Sequence, residues 1–334
     1  MVRPAPARAT AIGFGTPMTS TQRDWIDSTL STMSLRERVG QMVMVWVLGD
    51  YASSDDTSAS RAAEAVTRDA VGGIVMSLGS PIEVAAKVNW LQRKAKVPLL
   101  VGSDVEPGLG RLEGGYFAPQ LWSAGAATVL PSNMAIGATG RDTNAFEAGR
   151  ITGIESRAIG IHVAFAPTVD VNNNPSNPVI NTRSFGEDPA AVARMGAAFV
   201  RGVQSVGVAA TIKHFPGHGD TDVDSHLGLP VLGIDRTRFA TTELVPFRAA
   251  IAAGAASIMT AHIALPRITG DSLPATLSPR IMTTLLRDSL RFGGVAFTDA
   301  LTMDGVARGY GVAESAVRAI EAGDDVLLMP VDTR

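Results

Sequence analysis

Three of the chain's five histidines and three aspartates fall within Lys213-His214-Phe215-Pro216-Gly217-His218-Gly219-Asp220-Thr221-Asp222-Val223-Asp224-Ser225-His226, directly after the apolar run Val208-Ala209-Ala210-Thr211-Ile212. Imidazoles and carboxylates are the groups that move protons near neutral pH, and a buried strand is a rigid support from which to present them. A His-rich Gly/Asp loop standing alone is also a common solvated turn or metal-binding tract. A second segment, Gly294-Val295-Ala296-Phe297-Thr298-Asp299-Ala300-Leu301-Thr302-Met303-Asp304, in which another short apolar run ends at Asp299, favours chemistry. Two strand ends carrying acids suggest one shared mouth.

Such tips need strands beneath them, and the chain offers eight short, nearly continuous apolar runs: Val39 to Leu48, Val71 to Ser77, Val97 to Asp104, His162 to Asp170, Val208 to Lys213, Ala256 to His262, Gly294 to Asp299 and Asp325 to Pro330. Continuous rather than alternating apolar character marks strands covered on both faces. The first run is partly helical in character, because Ser34 and Glu37 form a capping box just before it. Ala-rich helical patterns separate most runs, among them Asp188 to Val206 and Arg238 to Ala253, with Gly207 and Gly254 just past their ends. Alternating strand and helix implies parallel pairing. Eight units predict a (β/α)8 barrel of the TIM type, with a doubly wound open sheet as the main rival. The polar residues fit the barrel: Asp104, Asp170, Lys213-His214, His262 and Asp299 all sit at downstream run ends, where barrel sites lie.

Residues 1–20 read as a disordered leader, and Ser20 or Thr21 caps a first helix. Residues 21–334 read as one domain. Only Val331-Asp332-Thr333-Arg334 follows the last run, so the eighth helix is missing and the outer faces of the last and first strands are expected to lie open. The sequence therefore predicts a catalytic domain truncated at its C-terminus, with a C-terminal domain or partner covering the open seam.

A chain with 46% hydrophobic and 18% charged residues can bury a large core. A formal charge of -3 gives no broad positive field, which argues against nucleic acid. The absence of cysteine excludes disulfides, thiol catalysis and cysteine-ligated metals. No apolar run reaches the ~20 residues that span a bilayer. The N-terminus lacks the apolar core of a signal peptide, although its Pro/Ala composition resembles the linker that often follows one. The compartment stays open, cytoplasmic as the chain stands and periplasmic or secreted if the true N-terminus is missing.

The segment from Lys213 to Thr221, with Asp224-Ser225-His226, resembles the signature of glycoside hydrolase family 3, in its β-N-acetylglucosaminidase branch. Asn177-Pro178-Val179-Ile180-Asn181-Thr182-Arg183-Ser184-Phe185-Gly186-Glu187-Asp188-Pro189, Phe297 to Met303 and Asp104-Val105-Glu106-Pro107-Gly108 agree, so the likeness runs from about Leu35 to Pro330. It implies a (β/α)8 domain that removes terminal N-acetylglucosamine, often from peptidoglycan fragments or chitooligosaccharides, with retention and without a cofactor. It also implies Asp299 as nucleophile, and His226, oriented by Asp224, as the group that protonates the leaving oxygen. Asp104, Arg183, Lys213 and His214 would hold the sugar. Arg111 is assigned beside them although it stands seven positions after Asp104, where the family usually places its arginine eight on. His218 and Asp220 are expected to order the loop, His262 and Asp170 to support the mouth, and His162 to be structural.

Imidazole suits the donor role, since its unperturbed pKa of ~6.5 lets it give a proton and take one back near neutral pH. Glucosidase and phosphorylase activities of the same family remain open. Two readings of other classes stand beside them: a metallohydrolase using His214, His218 and His226, whose spacing fits no standard zinc motif, and a sugar-binding domain without catalysis.

Overall fold

A computed structural model describes residues 17–50, 57–110 and 127–330. Eight parallel strands, β1 (Val43–Leu48), β2 (Gly73–Ser77), β3 (Leu100–Ser103), β4 (Val163–Ala164), β5 (Ala209–Phe215), β6 (Ser257–Thr260), β7 (Val295–Ala300) and β8 (Val326–Leu328), close in chain order into a barrel in which β8 pairs back onto β1. Each falls on one of the eight apolar runs, β5 and β7 reaching slightly beyond. Closure excludes the open doubly wound sheet.

Helices cover the barrel. They are α1 (Ser20–Thr32), α2 (Leu35–Gly40), α3 (Thr57–Thr67), α4 (Pro81–Gln92), α5 (Asn133–Ala138), α6 (Asp142–Ala158), α7 (Pro189–Gln204), α8 (Arg236–Thr241), α9 (Leu244–Ala252), α10 (Pro266–Thr269), α11 (Asp304–Tyr310) and α12 (Val312–Ala322), with a π-helical segment over Arg280–Ser289. The Ser34/Glu37 capping box forms as expected, and the first run divides after it into α2 and β1. Thr19, rather than Ser20 or Thr21, caps α1 through its own box with Gln22.

Two sequence expectations break locally, for backbone reasons. The single helix expected over Arg238 to Ala253 is split into α8 and α9. Pro246 lacks an N–H, and its ring clashes with the carbonyl four residues back, at Thr242 where the first helix stops. The fourth run pairs regularly only at Val163 and Ala164 because Pro167 interrupts the ladder, although Thr168 bridges to Lys213 further on.

The barrel interior is plugged below its C-terminal mouth by Met44, Val75, Val163, Phe165, Met259, Phe297 and Leu328. The Phe165 and Phe297 rings meet edge to face at 5.5 Å, and burying each contributes roughly 2 to 3 kcal/mol. This floor gives the strand tips above it a fixed base.

The expected bare seam is largely closed. Leu327 of β8 packs with Leu301, Val306 and Ala319, against which Val43 of β1 also lies, because the α11–α12 connection folds back across the outside of the last strand. Val43 and Val45 keep partial exposure.

Candidate active site

At the C-terminal ends of the strands lies a cavity of about 450 Å³, onto which Asp104, Arg183, Lys213, His214, His226 and Asp299 all open. Six of the residues singled out in the sequence thus meet in one place. Arg111 lies outside the described residues.

Asp104 directly follows β3 and accepts from Lys213 Nζ at 2.6 Å. The lysine side chain is only 2% exposed, and a buried ammonium is tolerated only when paired. Its second partner is Glu106 Oε1, at 3.6 Å. Glu106 is itself buried and accepts from Arg183 Nε at 2.6 Å and from the Thr168 hydroxyl. Burial alone would raise its carboxyl, but Arg183 and Lys213, with His214 and Thr168, outweigh burial and hold it at about 2. Glu106 is therefore an anion tying two cavity cations together.

His214 is fixed from both sides. Its Nδ1 lies 2.8 Å from Asp170 Oδ2, and its Nε2 lies 3.2 Å from Arg183 Nη2. A guanidinium only donates, so Nε2 is the acceptor and the Nδ1–H points to Asp170. Asp170 also accepts the backbone N–H groups of His214 and His218. Burial would push this carboxyl up, yet the His214 and His218 contacts bring it below the ordinary range. Lys213 and His214 are chain neighbours that reach the same cavity. The β5–β6 register shifts between Ile212 and Phe215, the kind of irregularity that re-aims strand side chains.

Asp299 stands at the end of β7, one carboxylate oxygen accepting the Ala300 N–H at 2.8 Å. Against the raising effect of burial, His214 and His262, the Ala300 N–H and Lys213 hold it below the usual carboxylate value, so it is ionised at neutral pH. His262, fully buried, has Nδ1 2.9 Å from the Thr276 hydroxyl and Nε2 3.1 Å from the Ala300 carbonyl, bracing the turn that carries Asp299.

The loop after β5 brings His226 to the cavity, with Asp224 beside it. His226 Nδ1 sits 2.7 Å from Asp224 Oδ1, which also accepts the His226 backbone N–H at 2.8 Å. The ring is 59% exposed. Burial would raise Asp224, but the His226 backbone and ring outweigh it and lower the carboxyl. His218 is an internal tie of the loop, with Nδ1 2.7 Å from the Thr221 hydroxyl and Nε2 2.9 Å from the Ser225 hydroxyl. Burial drops its pKa to about 4. Gly219 serves packing: a Cβ there would lie 1.9 Å from the Val171 carbonyl oxygen. Across that contact Asn177 Nδ2 donates to the His218 and Gly219 carbonyls, joining the loop that carries Arg183 to the loop that carries His226.

Asp220 pairs with Arg238 at the loop's outer side. His162 is at the opposite end of the barrel, its Nδ1 accepting the Val101 N–H. His214 and His218 have both ring nitrogens engaged by protein groups, and among the described residues no cluster of His, Asp or Glu is arranged to hold a metal. Nor is any described helix long and apolar enough to cross a membrane.

Two residues with a place in the site escaped the sequence reading. Glu106 stands three positions past the third strand, and its only signal was an acid close behind Asp104. Trp46, half exposed on β1, forms part of the cavity wall. An aromatic residue inside an apolar run reads as core, and nothing in the run distinguishes it.

A closed parallel barrel that gathers carboxylates, a lysine and imidazoles at its C-terminal mouth belongs to the (β/α)8 class whose site is built on strand ends. Within that class the chain belongs to glycosyl hydrolase family 3: residues 34–334 match the family's N terminal domain. It is 38% identical over 309 residues, 86% of this chain and 50% of the relative, to beta-hexosaminidase A of Pseudoalteromonas piscicida. The solved family 3 beta-N-acetylglucosaminidase from Paenibacillus sp. FPU-7 is 46% identical, with a TM-score of 0.80 over 89% of this chain and 55% of that one. A beta-glucoside phosphorylase bound to 2FGlc superposes with a TM-score of 0.83 at 27% identity, over 93% of this chain and 55% of that one. The chain thus spans about half the length of these relatives.

Proposed function

We propose that the protein is a retaining β-N-acetylglucosaminidase that releases terminal N-acetylglucosamine from peptidoglycan-type or chitooligosaccharide substrates. The carrying observation is that Asp299 and His226 open onto one cavity with Asp104, Arg183, Lys213 and His214, while Asp224 holds the His226 ring from behind. The 2-acetamido preference is supported by the likeness to a beta-hexosaminidase and a beta-N-acetylglucosaminidase.

In the first step the Asp299 carboxylate attacks the anomeric carbon as the bond to the aglycone oxygen breaks, and His226 gives that oxygen a proton. Asp224 holds Nδ1, so the proton leaves from Nε2, and the carboxylate stabilises the imidazolium beforehand. In the second step water attacks the glycosyl-aspartate, His226 takes its proton, and the bond to Asp299 breaks. Two inversions give net retention. Lys213, Asp104, Arg183 and His214 supply donors and acceptors for sugar hydroxyls from positions already fixed in the free protein.

Trapping with a 5-fluoro N-acetylglucosaminyl donor, followed by peptide mapping, is expected to label Asp299. Label on any other residue sinks the assignment. A panel of aryl glycosides differing only at the 2-substituent tests the sugar.

A second reading is phosphorolysis, favoured by the likeness to a beta-glucoside phosphorylase and by a donor that is an imidazole rather than a second carboxylate. A neutral base leaves less negative charge to repel an attacking phosphate dianion. Turnover that requires phosphate and yields a sugar 1-phosphate would select it.

A further inference from the structure

The His226 loop is held at the cavity by a contact with the segment that follows the Asp299 strand. The Gly305 N–H donates to the Ser225 carbonyl at 3.1 Å, and the Asp304 N–H reaches the His226 carbonyl at 3.4 Å. Ser225 is gripped from the other side too, since its hydroxyl meets His218 Nε2. The residue before His226 is thus clamped between an internal tie of its own loop and the backbone at the start of α11.

That approach leaves no room for a side chain on Gly305. A Cβ there would stand 2.9 Å from the Ser225 oxygen, 3.0 Å from the Gly228 oxygen and 3.1 Å from His262 Cβ. The two oxygens are backbone atoms on either side of His226. The third neighbour is a fully buried ring braced by Thr276 and the Ala300 carbonyl, and it cannot yield. An added methyl therefore has to push the loop, not the barrel. Gly305 has an ordinary helical backbone, so its lack of a side chain answers to this packing and not to a left-handed conformation.

We propose that Gly305 is a positioning residue that latches the His226 loop over the cavity, letting the loop carbonyls close onto α11 so that the imidazole reaches the leaving oxygen. The proposal rests on the reading of His226 as proton donor. It couples the two halves of the chemistry through the backbone, since the short segment after β7 joins the strand that carries Asp299 to the latch.

Gly305→Ala is expected to lower kcat/KM roughly tenfold or more for glycosides with leaving groups of high pKa, because small displacements of a proton donor are costly. Activated aryl glycosides, which depart without acid help, should lose far less. Gly309→Ala, in the same helix with open space around its Cβ position, should leave both rates unchanged, although alanine favours helix at either site. Equal loss for all leaving groups in Gly305→Ala, or none, overturns the latch. His226→Ala is measured in parallel. If it shows no leaving-group dependence, the proton-donor reading falls and takes the latch with it. If it shows a steep dependence while Gly305→Ala behaves as wild type, only the latch falls. Should Gly305→Ala not fold, amide exchange in the unaltered protein decides. Protection of the Gly305 N–H is expected, and exchange at the rate of a free peptide overturns the proposal.

Discussion

The cavity has two unlike walls. On one side Asp104, Glu106, Lys213, His214 and Asp299 stand on or just beyond strand ends above a packed aromatic floor, with Glu106, Lys213 and His214 buried and Lys213 bonded to Asp104 and near Glu106. On the other, Asp224 and His226 sit on a loop, the imidazole mostly exposed and held by a single carboxylate and a few backbone contacts. The difference follows the work proposed for each side. A nucleophile and sugar-binding groups gain from pre-organisation, because their electrostatic partners need not rearrange during reaction. A group that must give a proton to one molecule and take it from another needs access to solvent and to exchanging ligands.

The sharpest way to break this division is stereochemical. Asp299→Gly should lose about 10⁴-fold or more in kcat, and azide should restore turnover with an α-glycosyl azide as product, from one inversion. His226→Ala should lose roughly 10² to 10⁴-fold on poor leaving groups, and azide should give the β-azide, because the glycosyl-aspartate still forms. The same azide anomer from both variants would mean that the two walls do not carry separate roles.

Glu106→Gln tests how tightly the strand-borne wall is knit. Removing the anion leaves Lys213 and Arg183 short of a partner in a buried place, with an expected destabilisation of about 3 to 5 kcal/mol, read as a fall in urea midpoint. An unchanged midpoint would mean that the wall does not depend on this charge. Because the carboxyl is held at about 2 in the folded protein against 4.5 ordinarily, its contribution is complete above pH 4.5 and disappears as pH falls toward 2.

The smallest effect concerns the loop. His218 titrates at about 4 when folded against 6.5 ordinarily, so the unfolded chain binds its proton first. Stability should decline as pH falls from 6.5 toward 4, by roughly 3 kcal/mol at most. His218→Gln should flatten that stretch of the urea midpoint against pH, and a slope that persists would place its origin elsewhere.

Much of this was readable along the chain. The strands showed as apolar runs, and Asp104, Lys213, His214 and Asp299 showed as polar residues at their ends, because both signals are local and periodic. Where the chain broke its own pattern the reading slipped: Pro246 divides a helix that the apolar spacing joined, and Pro167 cuts β4 to two paired residues. The seam came out less bare than the sequence implied for a different cause, since whether α12 folds back over Leu327 depends on packing between distant elements.

The amino-acid sequence alone determined the barrel, the family and which residues stand as candidates for the proposed chemistry, since each rests on residue type and short-range order. Only the tertiary structure decided that Glu106 joins Lys213 to Arg183, that Trp46 faces the cavity instead of the core, and that Gly219 and Gly305 are small because another backbone lies against them. Those relations span tens of residues, and they depend on which surfaces meet after the barrel has closed.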